Sequence, residues 1–124
     1  MGVAVKVLLV GGGGREHALA WRILKSPLVE GLVVTHNNPG FPAEVINIEG
    51  DIVDSVVAAS VGLAVIGPET PLAEGLSDRL RAAGIPVFAP SKAAAQLETS
   101  KRFAKAFMDR HGIPTGTWSA HTDP

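Results

Sequence analysis

The stretch Gly11-Gly12-Gly13-Gly14-Arg15-Glu16-His17 is the part of this chain best suited to chemistry. It follows the apolar run Val3–Val10 and precedes the helix-forming run Ala18–Leu24. Glycine lets backbone N–H groups approach a phosphate closely, and a helix N-terminus adds roughly half a positive charge. Arg15, at the start of that helix, could add a fork of donors. The spacing therefore predicts a phosphorylated ligand.

Two ligand classes compete for this loop. A dinucleotide site needs Gly-x-Gly-x-x-Gly, with an acidic residue about 20 positions further on. Gly11 and Gly13 fit, but Glu16 stands where the last glycine should be, and the second apolar run ends in Thr35-His36 without a carboxylate. No Gly-Lys-Ser/Thr follows, so a Walker A loop is absent. A single phosphate or sugar phosphate asks for less and fits better. A tight strand-to-helix turn with no ligand is the plain alternative.

The other candidates are weaker. Glu16 and His17 are neighbours on a helix and point about 100° apart, so they form no acid–base pair. Glu16 reads as a first-turn carboxylate favoured by the helix dipole, and His17 as a hydrogen-bonding partner for a neighbouring loop. Glu69 in Gly67-Pro68-Glu69 could hold ribose hydroxyls or an amine, or simply start a helix. Lys92, Lys101, Arg102 and Lys105 read as a solvated basic face. His36, His111 and His121 lack metal-ligand spacing, so no metal ligand set is predicted.

Alternating elements must position these residues. Strands are predicted at Val3–Val10, Leu32–Thr35, Val45–Ile48, Leu63–Ile66 and Ile85–Phe88. Helices are predicted at Arg15–Lys25 and, capped by Asp51, over Asp51–Ala59. Thr70-Pro71 reads as an N-cap and first-turn proline of one helix, with Leu72, Leu76 and Leu80, plus Ala73 and Ala83, along one stripe. Ser91 and Ser100 cap two further helices, the second with Phe103, Phe107 and Met108 on one face. Gly84-Ile85-Pro86 and Gly112-Ile113-Pro114 are two copies of one helix-stop device. This order implies an α/β fold: a Rossmann-like parallel sheet with helices on both faces, its ligand at the carboxyl ends of the strands.

Bulk properties narrow the classes. The 124 residues suit one domain. A composition 46% hydrophobic and 19% charged is enough for a packed core. A net charge of −1 gives no support for nucleic acid or membrane as a partner. With no cysteine, disulfides and thiolate metal sites are excluded. No apolar run approaches the roughly 20 residues of a membrane span, and a cytoplasmic location is expected.

Four motifs in order resemble one family. They are Gly11–Gly14-Arg15-Glu16-His17-Ala18-Leu19-Ala20-Trp21, Gly67-Pro68-Glu69-Thr70-Pro71-Leu72, Ala93–Glu98 with Ser100–Lys105, and Phe107–Thr115. Together they are similar to the opening of phosphoribosylamine–glycine ligases, and they cover nearly the whole chain. The resemblance implies a substrate domain over residues 1–100, of the kind that precedes an ATP-grasp fold. Residues 101–124 would be a linker and the start of the ATP-grasp part. It implies ATP-dependent joining of glycine to 5-phosphoribosylamine, giving glycinamide ribonucleotide in purine synthesis. Glycine's carboxylate is first activated as an acyl phosphate, because a free carboxylate is a poor electrophile.

The resemblance further implies that ATP and magnesium or manganese bind outside this chain, that no catalytic residue lies within it, and that it has no turnover alone. Further purine-pathway domains on the same chain are also implied. The substrate-binding residues carried over are Gly12, Gly13, Gly14, Arg15, Asn38, Gly40 and Glu69. The chain departs from the family at His36-Asn37, where Pro-Gly is usual, at Ala89 and Ser91, at Thr99, and in a shortened stretch over Phe41–Leu63. Two rival readings remain: the equivalent domain of another ATP-grasp ligase, and a truncated or stand-alone sugar-phosphate-binding domain without catalysis.

Overall fold

The computed structural model describes residues 2–122, so the last two residues of the expected linker, Asp123 and Pro124, lie outside it. The chain opens with β1 (Val5–Val10), α1 (Gly14–Ile23), β2 (Val29–Val34) and β3 (Ile46–Asn47). Next come α2 (Ile52–Ala58), β4 (Leu63–Ile66), α3 (Glu69–Ala73) and α4 (Leu76–Ala82), followed by β5 (Val87–Phe88), α5 (Lys92–Thr99) and α6 (Lys101–Arg110). All strand pairs are parallel, in the order β3-β2-β1-β4-β5. The α/β, Rossmann-like fold is thus as expected.

β1 is the central strand, pairing Leu8 with Val33 on one side and with Ala64 on the other. Successive side chains point to opposite faces, and both faces are covered, so the strand is apolar at every position from Val7 to Val10. Leu8 and Val10 pack with Val56 of α2 and with Leu76 and Leu80 of α4. Val7 and Leu9 pack with Ala20 of α1 and with Ile23 and Leu24. Removing a fully buried leucine such as Leu8 from water contributes about 1.5–3 kcal/mol.

The predicted caps hold where a side chain does the capping. Asp51 Oδ1 accepts the N–H groups of Val53 and Asp54 at 2.9 and 3.2 Å. Ser91 Oγ accepts from Ala94, and Ser100 Oγ from Phe103. Gly84 and Gly112 both adopt left-handed angles, φ 81° and 63°, as the helix-stop device requires.

The helix predicted from Thr70 to Ala83 is two helices. Gly75 stands at φ 86°, a left-handed conformation that breaks the α-helical path. The N-cap of α3 is Pro68, not Thr70, and Pro71 lies in the helix's first turn. Leu72, Leu76 and Leu80 are nevertheless all buried, while Ala73 and Ala83 are exposed. β3 and β5 are only two residues each, shorter than the predicted strands.

Candidate functional site

The carboxyl ends of β1, β2 and β4 meet at one edge of the sheet. The chain order reverses beside β1, with β2 on one side and β4 on the other. Such a switch point opens a crevice between strand ends. Gly11–Gly13 and Gly67-Pro68 border it, and His36 follows the end of β2.

The glycine loop is held by its neighbours rather than by itself. Gly11 takes φ 111°, and its N–H donates to Thr35 Oγ1 at 3.1 Å. Thr35 Oγ1 also hydrogen-bonds His36 Nδ1 at 2.8 Å. Asn38 Nδ2 donates to Gly12 O at 2.7 Å and to Gly13 O at 3.4 Å. Its Oδ1 accepts the Gly40 N–H at 2.8 Å. Asn38 therefore staples the loop after β2 to the loop after β1. Gly40 has no side chain because the His17 ring lies against it: a Cβ there would sit 2.6 Å from His17 Cε1. His17 also meets Phe41 edge-on, with ring centroids 6.4 Å apart. It braces the neighbouring loop by packing, where a hydrogen bond was expected.

Glu16 is not a solvated first-turn carboxylate. It is 4% exposed and lies beneath the glycine loop. Its Oε2 accepts the Gly13 N–H at 2.7 Å, and its Oε1 has no hydrogen-bond partner among the described residues. The dipole argument placed a carboxylate here correctly, but tertiary packing buried it.

A cleft of about 560 Å³ opens along this edge. Gly11, Gly12 and Gly13 form one part of its wall, with His36, Thr70 and Arg79 on others. Arg79 reaches it from α4. Its guanidinium donates to Asp51 Oδ2 at 2.8 Å, and that hydrogen bond, with the Asp54 N–H, holds the Asp51 carboxyl below its ordinary value of 3.8. The same partner raises Arg79. Of an arginine's five donors, Asp51 occupies one, so the guanidinium keeps donors to offer an anion in the cleft.

The expected site residues divide into three groups. Gly12 and Gly13 line the cleft. Asn38 and Gly40 stand behind the loop and support it. Gly14, Arg15 and Glu69 lie on an exposed rim, where Arg15 and Glu69 approach each other at 3.6 Å. Such an exposed pair is weakly held and free to exchange partners. Sequence reasoning missed Arg79, because nothing in a helix-face arginine announces a loop more than sixty positions away. It also missed the burial of Glu16, for which there was a signal: a large side chain at the third glycine position must go somewhere.

Away from this edge, a cleft of about 390 Å³ lies between α6 and the segment around Trp118, with Lys101, Arg102 and Lys105 on its wall. Trp118 Nε1 donates to Asp109 Oδ2 at 2.9 Å there. Lys105 is half-buried and bonded to Thr115, so the basic cluster is not wholly a solvated face. Among the described residues, no group of three or more His, Asp or Glu side chains could hold a metal ion. No described helix is long and apolar enough to cross a membrane.

Known proteins are similar to this chain in sequence and in fold. The family described as phosphoribosylglycinamide synthetase, N domain, matches residues 5–98. A phosphoribosylamine–glycine ligase of Rhizobium meliloti is 49% identical over 96% of this chain and 30% of its own length. The trifunctional purine biosynthetic protein adenosine-3 of Gallus gallus is 45% identical over 98% of this chain and 13% of its own length. The crystal structure of the phosphoribosylamine–glycine ligase of Thermotoga maritima superposes with a TM-score of 0.68 at 30% identity, over 91% of this chain and 26% of that one. The biotin carboxylase subunit of pyruvate carboxylase shares the fold, with a TM-score of 0.61 at 18% identity. This chain thus spans less than a third of the length of these relatives.

Proposed function

Since the chain belongs to the phosphoribosylglycinamide synthetase N-domain family, we propose that its cleft binds the phosphoribosyl part of 5-phosphoribosylamine. It would do so for a ligase that joins that amine to glycine at the expense of ATP. One observation carries this reading: the family match over residues 5–98 takes in every wall of the cleft. The wall combines backbone N–H groups, the Thr70 hydroxyl and the Arg79 guanidinium, which suit a phosphate, with the Glu16 and Glu74 carboxylates, which suit sugar hydroxyls rather than the anion. The 5-phosphate goes to the rim at Gly14 and Arg15, beside Gly12 and Gly13. Glu69 takes a ribose hydroxyl or the amine once Arg15 turns from it to the phosphate.

This chain's own work is binding and orientation. Fixing the ribose sets the direction in which the amine attacks, which is worth several powers of ten in rate when the geometry is right. ATP and its divalent cation are assigned, on the family resemblance, to an ATP-grasp part that residues 101–124 would introduce. Glycine, ATP and further purine-pathway domains are proposed partners of the whole protein, in a cytoplasmic setting.

Titration with ribose 5-phosphate, followed through backbone amide NMR signals, tests the reading. The amides of Gly12, Gly14 and Arg15 are expected to move, and Arg15→Ala to weaken binding. Unchanged affinity in Arg15→Ala, or movement confined to another region, would sink it.

A further inference from the structure

The dinucleotide pattern fails at Glu16, and the structure shows what that side chain does instead. The crevice between the ends of β1 and β4 is where an open parallel sheet of this kind takes its ligand. Here the Glu16 side chain occupies the gap between Gly11 and Gly67, on the wall of the open cleft. A Cβ on Gly11 would lie 2.8 Å from Glu16 Cγ, and a Cβ on Gly67 would lie 2.0 Å from Glu16 Oε1. Two loops stripped of side chains therefore close around a carboxylate of the protein itself.

That carboxylate also consumes a donor. The first N–H groups of a helix have no partner within it and form a ready anion site. In α1 the Gly13 N–H just ahead of the first turn already points at Glu16 Oε2, at 2.7 Å. Oε1, with no partner among the described residues, is a second buried acceptor beside the loop. A phosphate pushed into this crevice would meet filled volume, a spent donor and a like charge together.

We infer that Glu16 is a specificity-determining residue, a built-in anion at the head of α1 that bars a dinucleotide pyrophosphate from the crevice and leaves a single phosphate the outer donors. Those donors are the first-turn N–H groups of Gly14 and Arg15 and the Arg15 guanidinium. The exclusion stands on the geometry alone, whereas the outer position of the phosphate rests on the phosphoribosyl reading above.

The test compares the 124-residue chain with Glu16→Ala and Glu16→Gln by amide NMR titration. ADP-ribose probes for a pyrophosphate site, and inorganic phosphate probes the charge. The wild-type chain is expected to show no shift of Gly11–Gly13 with millimolar ADP-ribose, and Glu16→Ala to bind it at least about tenfold more tightly, because alanine removes the obstructing volume as well as the like charge. Glu16→Gln keeps the volume and removes the charge. It should still exclude ADP-ribose yet bind inorganic phosphate severalfold more tightly than wild type.

Equal ADP-ribose binding by wild type and Glu16→Ala overturns the inference. So does a Glu16→Gln variant whose phosphate affinity is unchanged. If Glu16→Ala loses its amide dispersion and does not fold, the Gln variant decides alone. A wild-type chain that ignores ribose 5-phosphate refutes the phosphoribosyl reading instead and leaves the ADP-ribose comparison standing.

Discussion

Replacing Gly67 by alanine isolates the packing of Glu16 with a single methyl group. Gly67 is not in the left-handed region, so alanine introduces no backbone strain there. The new Cβ would fall 2.0 Å from Glu16 Oε1 and 2.8 Å from Glu16 Cδ, far inside contact distance. The obstacle is the end of a side chain, so the cheapest response is expulsion of Glu16 from the crevice. That response breaks the 2.7 Å bond from the Gly13 N–H. A hydrogen bond to a charged group is worth about 1.5–3 kcal/mol net. For a domain of this size, such a loss lowers the melting temperature by roughly 5–15 °C. Thermal melts followed by circular dichroism would measure it. A double-mutant cycle then identifies the cause: in a Glu16→Ala background the same Gly67→Ala change should cost less than about 0.5 kcal/mol, because the partner of the clash is gone. A melting temperature unmoved by Gly67→Ala, or an equal cost in both backgrounds, would refute the account of Glu16 as the filling of the crevice.

Two further predictions concern the surroundings of the loop. Asn38→Ala removes the donor to Gly12 O and Gly13 O and the acceptor of the Gly40 N–H, so stability should fall by about 1–3 kcal/mol in urea titration. Ribose 5-phosphate affinity should fall with it, since the loop loses its tie to β2. Asp51→Asn tests the ion pair with Arg79. Asp51 is held below its ordinary value, so its charge contributes stability above pH 3.8, and that contribution disappears as pH drops through the lower folded value. Asparagine still caps α2 but carries no charge. The gap between wild-type and Asp51→Asn urea midpoints should therefore be steady near neutral pH and shrink as pH falls below 3.8; a gap that does not narrow on acidification contradicts the pairing.

The parts of the fold legible in sequence were those with local causes. β1 and β4 were visible as apolar runs flanked by glycine, because strand positions buried on both faces are apolar, as Val7–Val10 are, while Lys6 sits at the less buried start of β1. Asp51, Ser91 and Ser100 were visible as caps, because a cap bonds its own helix two or three residues on. The break at Gly75 was less legible. A stripe of Leu72, Leu76 and Leu80 at four-residue spacing reads as continuous helix, and the glycine's left-handed angle shows only in three dimensions.

At the site, the same line divides what was read from what was not. Gly11–Gly14 and Arg15 announced an anion-binding turn, since glycine content and the order strand, turn, helix are local facts. The motifs through Thr115 added the family. The tertiary structure decided which donors are available. It spent the Gly11 N–H on Thr35 and the Asn38 side chain on the loop itself, whereas the Gly13 N–H goes to Glu16 only three residues on, a local helix cap. It also brought Arg79 to the cleft from α4. Donors and acceptors pair through space, and which ones meet depends on strand order and on the volume left between loops. Neither is written in any short stretch of sequence. The glycine turn itself was determined by the sequence; the volume and the donors left around it were settled only when β4 folded against β1 and closed over Glu16.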